Sequence, residues 1–206
     1  KGDGPDPEHP QRCTKGCPVD VATGAVVDDR IDLTLPGPVP LVLQRWYTSQ
    51  RHLERGSLGR GGWTLSLEQW IEPDATEPDL WAYRNAQGRE LYLPALAVGQ
   101  RYFFRAERLS FERTRQGFVV DELDARRTSH FEVQAGLEAH ASHASHGSHG
   151  SHGSHGSHGA RAWLTRIEDR YGHALRFAYQ AGALPPVTDC AGRELRLVRG
   201  PGRRGL

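Results

Sequence analysis

The sequence predicts an all-β fold built from antiparallel sheet, and three observations lead to that prediction. Candidate strands recur about every ten residues, a spacing typical of sheets. Glycine and proline are frequent, with 24 and 13 residues in a chain of 206, and an excess of both indicates many turns. No long segment has the apolar period of a helix, apart from a short turn expected near Leu137.

Alternation of apolar and polar residues marks the candidate strand at residues 30–35, and further strand candidates follow at short intervals up to residue 133. The first ends at a proline-rich break over residues 36–40, because proline cannot donate to a strand ladder. Glycine-rich residues 56–63 are expected to form a turn-rich connection. The candidates are residues 30–35, 41–48, 64–71, 80–84, 90–93, 102–105, 109–113, 117–122 and 128–133.

Changes in composition divide the chain into four segments. Residues 1–18 are rich in proline, glycine and charge and are expected to be an extended leader, and residues 19–138 form the main β domain. Residues 139–160 carry a histidine at every third position among Gly, Ser and Ala. Since that segment has no large apolar side chain to join a core, we expect a disordered loop. Residues 161–206 resume ordinary sequence.

Three windows of the sequence share a turn pattern. In each, Asn or Asp stands three residues before a glycine, Leu stands three residues after that glycine, and Leu or Phe stands five residues after it. The side chain can accept a bond from a following backbone N–H, and the glycine can take the positive φ of a type I turn with a G1 bulge. The turn residues are Asn85 and Gly88, Asp169 and Gly172, and Asp189 and Gly192.

Each window therefore predicts a hairpin. The last two glycines lie 20 residues apart, and Gly-Arg-Glu-Leu occurs at both 88–91 and 192–195. A hairpin of that length is too small to bury its own apolar face, so successive hairpins are expected to join one continuous sheet. The alternative is three ordinary hairpins with common turn chemistry and no repeat relationship.

The second and third windows resemble YD repeats, notably in residues 169–172 and in the aromatic residues Phe177 and Tyr179 that follow. The resemblance implies that residues 161–206 hold the first YD repeats. Upstream, four motifs are similar, in order, to the N-terminal domain of Rhs and related polymorphic toxin proteins. They are residues 17–27, 32–41, 45–49 and 58–64. The resemblance covers residues 17–135 and 161–200, and the His-rich segment departs from it as an inserted loop.

In that family, YD repeats form a hollow β-shell that encloses a C-terminal toxin domain, and the N-terminal domain helps to close one end. The resemblance therefore implies a non-catalytic, structural part of an Rhs-type shell that encapsulates and delivers a toxin absent from these residues. It implies as partners the rest of the shell, the toxin domain and secretion-system components. It also implies export by a specialised bacterial secretion system.

Two other classes of protein are weighed against this interpretation. A cell-surface adhesion or glycan-binding module fits β-repeats, and five tryptophans could line a carbohydrate platform, although a packed face of the sheet explains them better. A secreted hydrolase needs a convergent nucleophile and base. The sequence contains neither a Gly-x-Ser-x-Gly nor a His-Glu-x-x-His motif. We therefore expect no enzyme, no catalytic residue and no cofactor.

Charge, hydropathy and ligand spacing exclude further functions. A net charge of +1 gives no electrostatic basis for binding nucleic acid. No apolar run approaches the length of a membrane span, and no signal peptide is visible. His9, Cys13 and Cys17 lack the fourth ligand that structural zinc requires. The His tract lacks preorganised geometry, so no metal site is predicted.

Two features of the chain stay open at this level. Cys13 and Cys17 are close enough in sequence to pair, which would leave Cys190 as the odd cysteine, and the redox compartment is not established. The sequence has no methionine, even at position 1, so we expect a processed chain or a piece of a longer protein.

Overall fold

A computed structural model describes residues 19–21, 23–56, 58–133, 161–179 and 185–198. Within these ranges the regular structure is strand throughout, apart from one 3₁₀ turn at Ser49–Arg51. All strand pairs are antiparallel, so the prediction of an all-β fold is confirmed. No helix there has the length and hydropathy to cross a membrane.

Several predictions fall on other parts of the chain. The leader at 1–18, the turn near Leu137, the His-rich loop at 139–160, and His9, Cys13 and Cys17 all lie outside the described residues. Cys190 is described, and it is exposed and free.

The described residues form sixteen strands. In chain order they are β1 (Val27–Leu35), β2 (Leu41–Thr48), β3 (Arg55–Gly56), β4 (Gly59–Arg60), β5 (Trp63–Leu65), β6 (Trp70–Pro73), β7 (Leu80–Arg84), β8 (Glu90–Pro94), β9 (Arg101–Phe104), β10 (Leu109–Arg113), β11 (Gly117–Glu122), β12 (Arg127–Val133), β13 (Ala162–Asp169), β14 (Ala174–Phe177), β15 (Val187–Thr188) and β16 (Glu194–Leu195). Strands β1, β2 and β5 form a three-stranded sheet, and β3 pairs with β4.

The other eleven strands form one sheet that forks at β13. Strands β9 to β16 lie in sequence order across it, and β13 pairs along its length with β12. On its other side, the first residues of β13 pair with β6, so that Ala162 faces Ile71. Further along the same side, β13 pairs with β14, so that Ile167 faces Leu175. The eight-residue length of β13 therefore allows it to hold two branches, β6–β8 and β14–β16.

The core lies between the branch β6–β8 and the strands β9–β12. Tyr83 meets Phe111 and Phe131 edge to face, with ring centroids 5.2 and 5.7 Å apart, and Trp81 meets Phe118 at 4.9 Å. The three phenylalanines are fully buried. Burying a side chain of that size stabilises the fold by roughly 1.5–3 kcal/mol. The sheet is therefore folded over, with an aromatic layer inside.

The three-stranded sheet closes the same core from another side. Leu41 and Leu43 of β2, together with Leu65 and Leu67, are buried in the cluster that holds the aromatic layer. On β2, Leu41 and Leu43 are buried on either side of the half-buried Val42, but Gln44 and Trp46 are buried as well, so burial does not alternate strictly along the strand.

The prediction of a single strand over residues 64–71 is wrong. The segment is divided between β5 in the small sheet and β6 in the large one, with a turn between them. At that turn the N–H of Glu68 donates to the carbonyl of Leu65, and its carboxylate accepts from the Leu65 N–H. Ser66 is bonded to the backbone of Gln44 in β2. These contacts bend the chain from one sheet into the other.

Smaller differences from the prediction lie at strand ends. The first strand begins at Val27 rather than at residue 30, since β2 is long enough to pair with the added residues. The connection over residues 56–63 contains the two-residue strand β4 and the start of β5. Elsewhere the bounds agree to within one residue.

Candidate functional site

The three predicted turns share one pattern of hydrogen bonds. In the second turn, Asp169 Oδ1 accepts from the backbone N–H groups of Tyr171 and His173, at 2.8 and 3.0 Å. The equivalent pairs of distances are 3.0 and 3.0 Å at Asn85, and 2.9 and 2.9 Å at Asp189. In every turn the glycine N–H also donates to the carbonyl of the Asn or Asp residue, at 2.9–3.1 Å. The three windows therefore have the same local structure.

The glycine of each turn lies in the left-handed region. The φ angles are +72° at Gly88, +84° at Gly172 and +79° at Gly192. An L residue with a Cβ is strained there, which explains the glycine in the pattern. The turns join β7 to β8, β13 to β14 and β15 to β16, and all six strands belong to the same sheet.

The first turn is packed against the three-stranded sheet. A Cβ atom on Gly88 would lie 2.5 Å from Thr64 Oγ1 of β5, well inside van der Waals contact. The next residue, Arg89, forms an ion pair with Glu107 at 2.7 Å, and Glu107 belongs to the turn between β9 and β10. This turn therefore holds three parts of the molecule together.

The second turn projects into solvent. No atom lies within 4 Å of a Cβ placed on Gly172, and Tyr171 is 69% exposed. Arg170 stacks over the ring of Tyr171, and His173 Nδ1 lies 2.9 Å from Asp169 Oδ2. The contacts of the turn are therefore made within the hairpin itself.

The third turn is docked through one arginine. Arg193 Nε donates to Asp189 Oδ2 at 2.6 Å, and its Nη2 donates to the carbonyl of Pro36 at 2.6 Å. Pro36 belongs to the proline-rich connection between β1 and β2, so the contact joins the last hairpin to the small sheet. The Asp189 side chain is almost completely covered.

The two aspartate turns carry carboxylates with lowered pKa values. Desolvation raises the pKa of Asp189, but bonds from the Arg193 backbone and guanidinium and from the Ala191 amide outweigh it and hold the pKa below 3.8. At Asp169, desolvation is likewise outweighed by His173 and by the backbone amides of the turn, and the net pKa is lowered. Both turns are therefore bonded to an ionised side chain near neutral pH.

An aromatic and charged contact holds the fork of the sheet. Arg161 donates two bonds to Glu72 of β6, at 2.6 and 3.0 Å. Its guanidinium carbon lies 4.4 Å from the ring centroid of Trp70 and 5.0 Å from that of Trp163. Trp70 and Trp163 face each other across β6 and β13. The arginine therefore binds the N-terminal branch to the strand that begins the C-terminal hairpins.

Sequence reasoning found the turns but missed their tertiary contacts. Thr64 below Gly88, the Arg161–Glu72 pair and the Arg193–Pro36 bond all join residues that are far apart in sequence. The only signal was compositional, since each glycine is followed by a basic residue: Arg89, His173 or Arg193. A basic residue after a turn does not specify its distant partner.

Metal ligands, a cavity and the tryptophans of the described ranges bear on the alternative functions. No group of three or more His, Cys, Asp or Glu side chains is placed there to hold a metal ion. A cavity of about 30 Å³ lies beside Arg51, Glu54, Trp63 and Arg84, with room for about one or two water molecules. None of the five tryptophans is exposed, so they form packed surface and no open platform.

Comparison with known proteins identifies the class of protein. Residues 16–93 match a family model described as DUF6531, a domain of unknown function. The chain is 30% identical over 184 residues to the double-stranded DNA deaminase toxin A of Burkholderia cenocepacia (strain H111), covering 86% of this chain and 11% of that protein. It is 27% identical over 186 residues to toxin protein Tse5 of Pseudomonas aeruginosa, covering 89% of this chain and 14% of that protein.

These relatives support a toxin-associated role for the chain. The chain is similar to these two toxin proteins along most of its length, which supports the polymorphic toxin family that its ordered motifs predict. It spans only about a tenth to a seventh of the two toxin relatives.

Proposed function

We propose that the chain is a non-catalytic, structural part of an Rhs-type shell that encapsulates and delivers a C-terminal toxin. Its hairpins at Asp169 and Asp189 are YD repeats, and the hairpin at Asn85 is an earlier copy of the same unit. The catalytic activity of the whole protein resides in residues outside this chain.

One observation carries the proposal. Three turns with the same hydrogen bonds and the same glycine conformation lie in one continuous antiparallel sheet. Repeated hairpins that share a sheet are the units of an extended β wall, because each needs its neighbours to bury its apolar face. The toxin relatives are about seven to nine times longer than the aligned segment, which is consistent with a wall that continues.

The partners follow from that role. They are the remaining repeats of the same protein, the C-terminal toxin domain enclosed by them, and components of the secretion machinery. The protein is exported by a specialised bacterial secretion system. The adhesion or glycan-binding alternative gains no support, since every tryptophan is buried or half-buried.

Protease protection of the C-terminal domain tests the proposal. The full-length protein that contains this chain is treated with trypsin, and cleavage within its last domain is followed over time. We expect cleavage at least ten times slower than in the same domain expressed alone. Equal rates would contradict encapsulation. The sequence beyond residue 206 is expected to hold many further Asx-x-x-Gly hairpins.

A matched pair of variants connects protection to the repeated turn. In Gly192→Val, a β-branched residue replaces glycine at a φ of +79°, where it is a severe outlier. In Gly192→Asn, the same position receives the residue that best tolerates left-handed backbone after glycine. We expect Gly192→Val to expose the C-terminal domain to trypsin and Gly192→Asn to leave it protected.

A further inference from the structure

Strand β9 (Arg101–Phe104) forms one end of the large sheet. Within the described ranges it pairs with β10 alone, so its other edge is free. The carbonyl of Gln100 accepts from Arg113 of β10. Because backbone groups alternate in direction along a strand, the N–H and C=O of Arg101 and Phe103 point to the free side.

The core is incompletely covered at this edge. In the inward row of the sheet, Phe131 of β12, Phe118 of β11 and Phe111 of β10 are all buried to 1% exposure or less. In β9, the inward residues Tyr102 and Phe104 are only half-buried, although their rings contact each other. A neighbouring strand on the free side would complete the burial of these two aromatic rings.

The outward face of β9 is also apolar, since Phe103 is 48% exposed. Exposed sheet edges in natural proteins are usually protected by charged side chains, proline or a bulge. Arg101 is the one charged residue of β9, and it is paired with Glu112 on the adjacent strand. An aromatic edge with so little protection is expected to be covered in the mature assembly.

The free edge of β1 provides a contrast. That strand carries three acidic residues, Asp28, Asp29 and Asp32, against one charged residue in β9, and it has a register shift near Ile31. As in β9, some of these charges bind the adjacent strand, since Arg45 donates to Asp32 and Gln44 donates to Asp29. Charges and a bulge are the features that discourage a further strand from adding. Strand β9 lacks a register shift in its pairing with β10. The side chains of β1 therefore discourage the addition of a further strand more than those of β9 do.

We infer that the edge of β9 is covered, in the full-length protein, by a strand from the part of the same protein beyond residue 206. This inference rests on the proposed function. Strand β8, the neighbour of β9 in sequence, lies in the other layer of the core and does not pair with it. At the opposite end of the sheet, β16 is the last strand that the structure describes, and the toxin relatives have several times as much sequence available. A sheet that closes on itself removes both free edges.

Site-specific photocrosslinking tests this contact. A benzophenone amino acid replaces Phe103 in the full-length protein, and mass spectrometry maps the crosslinks after irradiation. The matched control places the same probe at Ile31 of β1, which is 60% exposed. We expect Phe103 to crosslink within its own chain to residues beyond 206, at least five times more than the Ile31 probe does. Crosslinks to a second copy, crosslinks to residues 1–18, or a yield no higher than the control would overturn the inference.

A charge substitution supplies an independent readout. In Phe103→Lys, an ammonium group lies on the edge and disfavours an added strand. We expect the Arg101 and Phe103 amides of the full-length protein to exchange with solvent at least ten times faster, while the amide of Phe118 in β11 is unchanged. Unchanged exchange at Arg101 and Phe103 would contradict the contact. If the C-terminal domain resists trypsin but the crosslinks are absent, the encapsulation proposal stands and the edge contact fails.

Discussion

The turn at Asn85–Gly88 and the turn at Asp169–Gly172 have the same hydrogen bonds but opposite surroundings. The first is pressed against Thr64 of the small sheet, and the second projects into solvent. The comparison shows that the local pattern determines the conformation of the turn. The surroundings determine how much of the molecule depends on it.

Replacing each glycine by alanine should separate these two contributions. Gly172→Ala places a Cβ in left-handed backbone and is expected to lower the free energy of unfolding by about 1–2 kcal/mol. Gly88→Ala adds a steric clash with Thr64, and overpacking costs about 1–3 kcal/mol more. Urea unfolding of the 206-residue chain, followed by tryptophan fluorescence, measures both.

The double variant Thr64→Ala/Gly88→Ala provides the control for that difference. Removing Oγ1 from beneath the turn should make Gly88→Ala less costly than in the wild-type background, giving a coupling energy of about 1 kcal/mol or more. Equal costs for Gly88→Ala and Gly172→Ala would show that the surroundings of the two turns do not matter.

The contact at the fork connects the region of the first turn to that of the second. Arg161→Ala removes two bonds to Glu72 and the stacking on Trp70 and Trp163. We expect a loss of about 2–3 kcal/mol in unfolding free energy, since bonds to charged groups contribute about 1.5–3 kcal/mol. Arg161→Lys retains the charge without the planar pair of donors, so its unfolding free energy should lie between those of the wild type and Arg161→Ala. A lysine variant as stable as the wild type would exclude a role for the paired geometry.

Acid should distinguish the aspartate turns from the asparagine turn. The pKa values of Asp169 and Asp189 are lowered in the folded chain, so their contribution to stability is complete above the ordinary value of 3.8. It is lost as the pH falls below that value and through the folded pKa. Asn85 does not titrate, so its turn is expected to keep its protection.

Hydrogen exchange at pH 6 and pH 3, corrected for intrinsic rates, measures this difference. The amides bonded to Asp169 and Asp189 should lose protection in acid relative to those bonded to Asn85. Asp189→Asn should remove the pH dependence of the third turn alone. Loss of protection at all three turns together would indicate general unfolding instead.

The smallest effect is expected at the tip of the exposed turn. Tyr171 packs on Arg170 and on His173 of its own hairpin. Tyr171→Ser should therefore change the unfolding free energy by less than about 0.5 kcal/mol, as surface substitutions usually do. A loss several times larger, in the same urea titration, would mean that this turn is packed in solution as the first one is.

Several strands were predictable from the sequence, with the correct first and last residues. Residues 41–48, 80–84, 109–113 and 117–122 form strands with the predicted limits, because strand-forming residues and the turn residues that bound them are local features of the sequence. The segment 64–71 was not predictable in this way. Its alternation continues through Leu65, Leu67 and Gln69, all buried, while the backbone passes from one sheet to another.

The candidate site was likewise only partly predictable from the sequence. The Asx-x-x-Gly spacing places each carboxylate or amide beside the backbone N–H groups it binds, so the turns follow from residues within five positions of one another. The distant residues that the first and third turns contact do not follow from nearby sequence. The small sheet and its connections bring Thr64 to the first turn and Pro36 to the third.

By itself, the sequence determined the all-β class, the order of most strands, the three turns and the similarity to polymorphic toxin proteins. Hydrophobic period and turn chemistry act between near neighbours, which is why a linear reading could find them. Only the tertiary structure decided the fork at β13, the contacts of Arg161 and the free aromatic edge of β9. Those features depend on which distant strands pair, and pairing is decided by the burial of a shared core that no local segment contains.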